Sequence, residues 1–194
     1  MINTVETLLL PPYMNNKTRL SFIQVICLCL YYSIIRYLPE NTTPFVGKLN
    51  KALRRAICKH IFLYCGKNVN IERGAYFASG KNIRIGNNSG LGVNCHIPNN
   101  TIIGDNVMMG PNCYIISNNH NYSDTSKPMI EQGLAHAEQT VIGNDVWIGR
   151  DVLMTPGRHI ADGSIIAAGC VLCKDFPPFS IIGGNPSVLI KQRK

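Results

Sequence analysis

Apolar residues recur every six positions over most of this chain. They stand at Cys65, Ile71 and Phe77, then at Ile85, Leu91, Ile97, Ile103, Met109 and Ile115, and again at Ile142, Ile148, Met154, Ile160, Ile166 and Leu172. Three residues after each lies Asn, Asp or Gly: Asn68, Gly74, Gly80, Asn88, Asn94, Asn100, Asn106, Asn112, Asn118, Asp145, Asp151, Gly157, Gly163, Gly169 and Asp175. These residues tolerate a left-handed backbone and make turns. The position after the turn residue is mostly small or β-branched, as at Val69, Ala75, Ser89, Cys95, Val107, Cys113, Val152 and Cys170. An α-helix cannot hold a period of six, and hairpins would not keep one phase for so long. Stacked coils can, because each rung buries its apolar position against the next. The pattern predicts an all-β chain: a parallel β-helix with a corner every six residues.

The repeat breaks once. Ile115 and Ile142 are 27 residues apart, and the excursion between them carries His120. Asn118 keeps the turn phase, which predicts that the coil is intact up to the residue beside His120. The imidazole would then leave a rigid corner, with Asn121 to Gln139 forming the rest of the excursion. The expected organisation is a helical appendage over 1–64, the β-helix over 65–176 with its loop at 118–139, and a C-terminal tail over 177–194.

The appendage has a different pattern. From Leu20 to Ile35 no residue is charged, and Lys17, Arg19 and Arg36 flank the run. Asn16 or Thr18 would cap a helix here. Sixteen residues fall short of the roughly 20 that span a bilayer. Three readings stay open: a helix packed on its own oligomer, an interfacial membrane helix making peripheral contact through residues 20–35, and a spanning helix. Lys48 to Leu63 reads as a second, basic amphipathic helix with Lys51, Arg54, Arg55 and Lys59, either solvated or facing anionic lipid.

Composition changes the picture in two respects. A net charge of +8 favours an anionic partner such as a phosphate-bearing cofactor or a membrane surface. Nucleic acid is not expected, because the basic residues gather at the two ends without aromatic or base-reading groups on a shared face. The eight cysteines do not form paired zinc-type motifs. Cys65, Cys95, Cys113 and Cys170 occupy repeat positions and read as small buried hydrophobes. No small-residue cleavage site follows the first apolar run, so a cytoplasmic setting, at the inner face of the membrane, is expected.

Ile85-Gly86, Ile103-Gly104, Ile142-Gly143 and Ile148-Gly149, with NDVWIG at 144–149, AAGCVLCKDFPP at 167–178 and GGNP at 183–186, resemble the hexapeptide-repeat acyltransferases. The similarity is to the branch holding maltose and galactoside acetyltransferases and the capsule, O-antigen and exopolysaccharide O-acetyltransferases. The resemblance implies a left-handed coil of three hexads, hence about five coils, and a homotrimer with active sites between subunits. It implies acetyl-CoA as donor, no metal, and a sugar or polysaccharide-precursor acceptor.

Acyl transfer to a hydroxyl needs a base, an oxyanion donor and a carrier held in line. His120 stands where the family has its catalytic base. The resemblance further implies that Trp147 lies near the cofactor arm and that the Arg150 backbone N–H meets the thioester oxyanion. It implies that Ala168 lets pantetheine lie close, that Lys174 and Lys191 approach the phosphates, and that Cys173 replaces a common Thr. Asn94 is a candidate acceptor contact near the position of a family Asn, and Asp124 a candidate to orient the imidazole; both also read as turn residues. His96 and His159 should face outward. Arg158 falls where a small residue is expected, so it either lines the cofactor groove or marks a bulge. Serine or a nucleotide-sugar amine is the alternative acceptor. A metal hydratase would need a histidine five residues from His120, where Ile115 and Thr125 stand. A structural β-helix would need no loop.

Overall fold

The computed structural model describes residues 19–194. Among these residues two α-helices, α1 (Phe22–Ser33) and α2 (Gly47–Ile61), precede fifteen short strands. Most strands are two residues long, as a corner every six residues requires. β1 (Tyr64–Cys65), β3 (Arg84–Ile85), β5 (Ile102–Ile103), β8 (Val141–Ile142) and β11 (His159–Ile160) stack in parallel as the first face. The second face begins with β2 (Asn70–Ile71) and β4 (Gly90–Leu91). It continues through β6 (Met108–Met109), β9 (Trp147–Ile148), β12 (Ile165–Ile166) and β14 (Ser180–Gly183). The third face holds β7 (Tyr114–Ile115), β10 (Leu153–Met154) and β13 (Val171–Leu172), with bridges joining Tyr76, His96 and Tyr114 above them. The six-residue apolar positions are the axial core: Ile71, Phe77, Ile85, Ile97, Ile103, Ile115, Ile148, Met154 and Ile166 are fully buried.

The corners follow the expected chemistry. Asn68, Asn88, Asn94, Asn106, Asn112, Asp145 and Asp151 have φ between 53° and 59°, and Gly74, Gly80, Gly157, Gly163 and Gly169 are also left-handed. Asn100, Asn118 and Asp175 are not among the left-handed residues. A further ladder lies one position earlier. The backbone N–H of Lys67 donates to Asn87 Oδ1 (2.8 Å), that of Asn87 to Asp105 (2.5 Å), that of Asp105 to Asn144 (2.8 Å) and that of Asn144 to Asp162 (2.7 Å). Each side chain thus satisfies an amide one coil away that no strand partner reaches.

Five coils are complete, and a sixth turn is started by the Ile160–Phe176 bridge and β14. The tail is therefore ordered as part of the solenoid. β14 pairs with β12, and β15 (Val188–Gln192) returns antiparallel along β14.

The excursion leaves the coil earlier than the sequence phase suggests. Ile116 N–H donates to Met154 O (2.9 Å), and the next residues make no corner. A left-handed turn at Asn118 would need a following strand to stack on the rung below. Instead His120 pairs with Leu134 in an antiparallel bridge, and Asn121 N–H donates to Gly133 O (3.0 Å). The loop closes where Gln139 Nε2 donates to Asn100 O (2.9 Å). His120 is thus mounted on a ribbon within the excursion, not on the corner itself.

α1 is capped by Ser21 in a capping box with Gln24; Asn16 and Thr18 lie outside the described residues. It docks through Tyr31, whose hydroxyl donates to Ala75 O, and Tyr32, whose hydroxyl donates to Ala78 O (both 2.8 Å). Ala78 belongs to the two-residue insertion between Phe77 and Ile85. Arg54, expected on a solvated face, is fully buried in α2. Its guanidinium donates to Asn41 Oδ1 (2.6 Å) and to the carbonyls of Leu38 and Pro39. The connection between the helices supplies those acceptors, which a helix-face pattern does not reveal. Among the described residues no helix is long and apolar enough to cross a membrane, which removes the spanning reading.

Candidate active site

Face two carries a continuous outward track. Met108 pairs with Trp147, Trp147 with Ile165, and Ile165 with Ile181, on successive rungs. Trp147 is half exposed on this track. At the corner that follows, the coils approach so closely that side chains do not fit between them. A Cβ on Gly149 would stand 2.5 Å from the Ala168 nitrogen, and one on Gly110 would stand 2.6 Å from the Arg150 nitrogen. Arg150 and Ala168 thus present backbone at the edge of the track, and Ala168 is exposed. The Arg150 side chain turns away, its Nε donating to Asp151 Oδ2 (3.0 Å).

Above Trp147 the track opens into a cleft of about 320 Å³. Its floor is Gly90, Gly92 and Met108, and its polar wall is Glu40, Thr42, Asn70 and Glu72. Glu72 is held in place: Asn70 Nδ2 donates to its Oε1 (3.1 Å) and Asn41 N–H to its Oε2 (3.1 Å). Sequence reasoning missed this cleft. Glu40 and Thr42 come from the interhelical connection and converge with the coil only on docking. Glu72 left a visible trace, since it follows an apolar core position where most coils have Gly or Ala.

Asn94 does not reach into the cleft. It is an exposed left-handed corner residue whose side chain occupies the space over Gly74. Asp124 lies in the excursion, where its Oδ1 accepts from the Ser126 hydroxyl and N–H and its Oδ2 pairs with Lys127 at 3.3 Å. The Ser126 hydrogen bonds, with Lys127 beside them, hold its carboxyl below the usual carboxylate range. Among the described residues no hydrogen bond joins it to the exposed His120.

Cys173 and Lys174 stand at the other end of face three. Ser187 contacts the Cys173 sulfur at 3.4 Å, and this contact, with Lys174 adjacent, holds the thiol below its ordinary value. Lys174 Nζ sits 5.5 Å from the Phe176 ring centroid. Lys191 lies on β15 opposite Ile181, at the C-terminal end of the Trp147 track. Arg158 neither bulges the coil nor lines the track. β8 and β11 stay in register, and its Nη1 donates to Cys173 O (3.1 Å) and pairs with Asp175 (3.4 Å). His96 is stacked between Tyr76 and Tyr114, with ring centroids 4.4 Å away on each side. Burial and the nearby Arg36 lower its pKa. His159 is exposed.

The candidate residues therefore fall into two groups. Trp147, Arg150, Ala168, Lys191 and the cleft lie on face two and its trailing corner. His120, Cys173 and Lys174 lie beyond face three, at the next corner. One chain alone does not bring them together.

Two blocks of the chain, residues 82–117 and 139–174, match the family model described as bacterial transferase hexapeptide (six repeats). The galactoside O-acetyltransferase of Escherichia coli (strain K12) is 34% identical over 143 residues, which is 72% of this chain and 68% of that protein. This chain belongs to the hexapeptide-repeat acyltransferase family. Among solved structures, a maltose O-acetyltransferase from Clostridium difficile 630 superposes with a TM-score of 0.69 at 30% identity, covering 90% of each chain. A galactoside acetyltransferase in complex with coenzyme A gives 0.71 at 30% identity, covering 88% of this chain and 80% of that one. The interruption between the two matched blocks is the His120 excursion, so the family pattern and the coil break coincide.

Proposed function

We propose that this acyltransferase moves an acetyl group from acetyl-CoA to a sugar hydroxyl, in a surface polysaccharide or its precursor, at sites shared between neighbouring copies of a homotrimer. The observation that carries the reading is the division of the candidate residues between two corners. A groove between two copies, formed by face two of one and the His120 ribbon of the other, completes a set that a single chain leaves apart. Galactoside and maltose acetyltransferase relatives support acetyl-CoA as donor and a carbohydrate as acceptor. The hydrogen-bonding wall of Glu40, Thr42, Asn70 and Glu72 suits a polyhydroxyl ligand.

In this reading the His120 imidazole takes the proton of the acceptor hydroxyl as its oxygen attacks the thioester carbonyl. The Arg150 N–H donates to the resulting oxyanion. Collapse of the intermediate breaks the C–S bond. The imidazolium returns its proton to the departing sulfur, leaving an acetyl ester and free coenzyme A. Trp147 and Ala168 flank the carrier arm, and Lys174 and Lys191 meet its phosphates.

The test is thiol release from acetyl-CoA with a panel of sugars, serine and nucleotide sugars, for the wild type and for His120→Ala. Turnover should fall by about 10²–10⁴-fold, with light scattering still giving a trimer. Undiminished turnover in the variant removes the base, and transfer to serine or a nucleotide-sugar amine alone replaces the acceptor.

A further inference from the structure

The acetyl-transfer reading leaves the outer surface of the helical hairpin unused. α1 buries Cys27 and Tyr31 and exposes Phe22, Ile23, Ile26 and Leu30, and Ile34 at its C-cap is exposed as well. Phe22, Ile26, Leu30 and Ile34 lie at four-residue steps and form one apolar stripe, with Ile23 beside it. Phe22 is 80% exposed, and Phe45, in the connection, is completely so. α2 adds Leu49, 60% exposed, and Leu53 one turn later. An exposed apolar stripe of this size on a folded domain marks an interaction surface.

The charge of the protein gathers in the same place. Residues 19–61 contain seven Arg or Lys (Arg19, Arg36, Lys48, Lys51, Arg54, Arg55 and Lys59) and one acidic residue, Glu40, a net +6 of the chain's +8. Neither helix has an acidic residue. Arg54 and Arg36 are spent on carbonyls of the fold, which leaves Arg19, Lys48 and Lys59 exposed and Lys51 and Arg55 partly so. Apolar stripes joined to a basic, acid-free flank are complementary to a surface that is apolar beneath and anionic above. The hairpin of a second copy is a poor occupant, because it brings +6 against +6.

We propose that the hairpin docks on an anionic lipid surface, with Phe22, Ile26 and Leu49 entering the interface and Lys48, Lys51 and Arg55 meeting headgroup phosphates. α1 is too short to cross, so the contact is peripheral. The connection between the helices also supplies Glu40 and Thr42 to the cleft on face two. If acetyl transfer takes place there, docking keeps that cleft beside the surface and favours an acceptor carried on lipid.

The experiment is flotation of the full chain with phosphatidylcholine vesicles, with and without phosphatidylglycerol. It needs neither acetyl-CoA nor acceptor, so its outcome is separate from that of the acetyltransferase assay. The wild type should float only with the anionic vesicles and detach as salt rises. Lys48→Glu/Lys51→Glu/Arg55→Glu should bind on the order of a hundredfold more weakly. Phe22→Asp/Ile26→Asp should lose flotation while circular dichroism and oligomeric state stay unchanged. Failure of the wild type to float, or equal flotation by the charge-reversal variant, overturns the proposal. So does a change of oligomeric state in the Phe22/Ile26 variant, which would assign the stripe to a second copy. Flotation that appears only after removal of residues 1–18 would assign it to the chain's own N-terminus.

Discussion

Two corners of the solenoid are built to different rules. The corner between faces one and two repeats without interruption through Asn87–Asn88, Asp105–Asn106, Asn144–Asp145 and Asp162–Gly163. Its amides are satisfied by the next coil, and Asn68, Asn88 and Asn106 also join through their side-chain amides at 3.2 Å. The corner between faces three and one never repeats itself. It carries the insertion that docks α1, Asn100 outside the left-handed region, the whole His120 excursion, Arg158 and the Cys173–Lys174 pair. One corner is closed by hydrogen bonds between coils, so nothing can be inserted there without orphaning buried amides. The other is open and carries the His120 excursion and part of the α1 contact, while Tyr31 and the interhelical connection dock on face two and its trailing corner. The most regular hydrogen bonding thus lies along one edge of the prism, and the candidate residues are divided between the other two.

That division can be broken by substitution. Replacing residues 121–132 with a short Gly/Ser linker should abolish acetyl transfer and leave the thermal midpoint within a few degrees, because only the open corner is touched; a collapse of the midpoint would show that the excursion supports the coil. On the closed corner, Gly104→Ala places a Cβ 2.6 Å from Asn144 Oδ1 and 2.7 Å from Gly143 O. The coils must part to admit it. We expect a loss of about 3 kcal/mol, or roughly 10 °C in thermal denaturation, and a neutral result would mean that the coils slide freely.

A smaller effect should come from Asn144→Ala, which leaves the Asp105 N–H without its acceptor. Denaturant titration should give a loss of about 1–3 kcal/mol, whereas Asn100→Ala on the open corner should cost less.

Much of this was legible in the sequence, because a six-residue period states both the core and the corners at once. Asn118 shows the limit. It has the right residue type in the right phase, yet a corner forms only where another rung waits beneath it, and His120 pairs with Leu134 instead. Arg54 and the cleft were hidden for a related reason. Their partners, Leu38, Pro39 and Asn41 for the one and Glu40 and Thr42 for the other, belong to an aperiodic connection whose path is set by docking. The Asn/Asp ladder was written in plain letters after the glycines, but its meaning depends on amides one coil away.

The smallest effect concerns acid. Asn112 Nδ2 donates to Asp151 (2.9 Å) and, with Arg150 nearby, holds its carboxyl below the ordinary range. A lowered folded-state pKa stabilises above the unfolded value and is lost as pH falls through the folded one. The wild type should therefore lose this contribution below about pH 4. Asn112→Ala should flatten the midpoint-versus-pH curve there, and an unchanged slope would dismiss the contact.

The outward track of face two has one more consequence. Met108, Trp147, Ile165 and Ile181 sit on consecutive rungs, so their spacing is fixed by the hydrogen-bond repeat and not by side-chain choice. Three repeats of about 4.8 Å make a ruler of roughly 14 Å between the cleft and the Lys191 end. A carrier laid along it is measured in whole graduations. Inserting one complete coil below Trp147 would lengthen the reach by a single graduation and leave the chemistry at the top untouched.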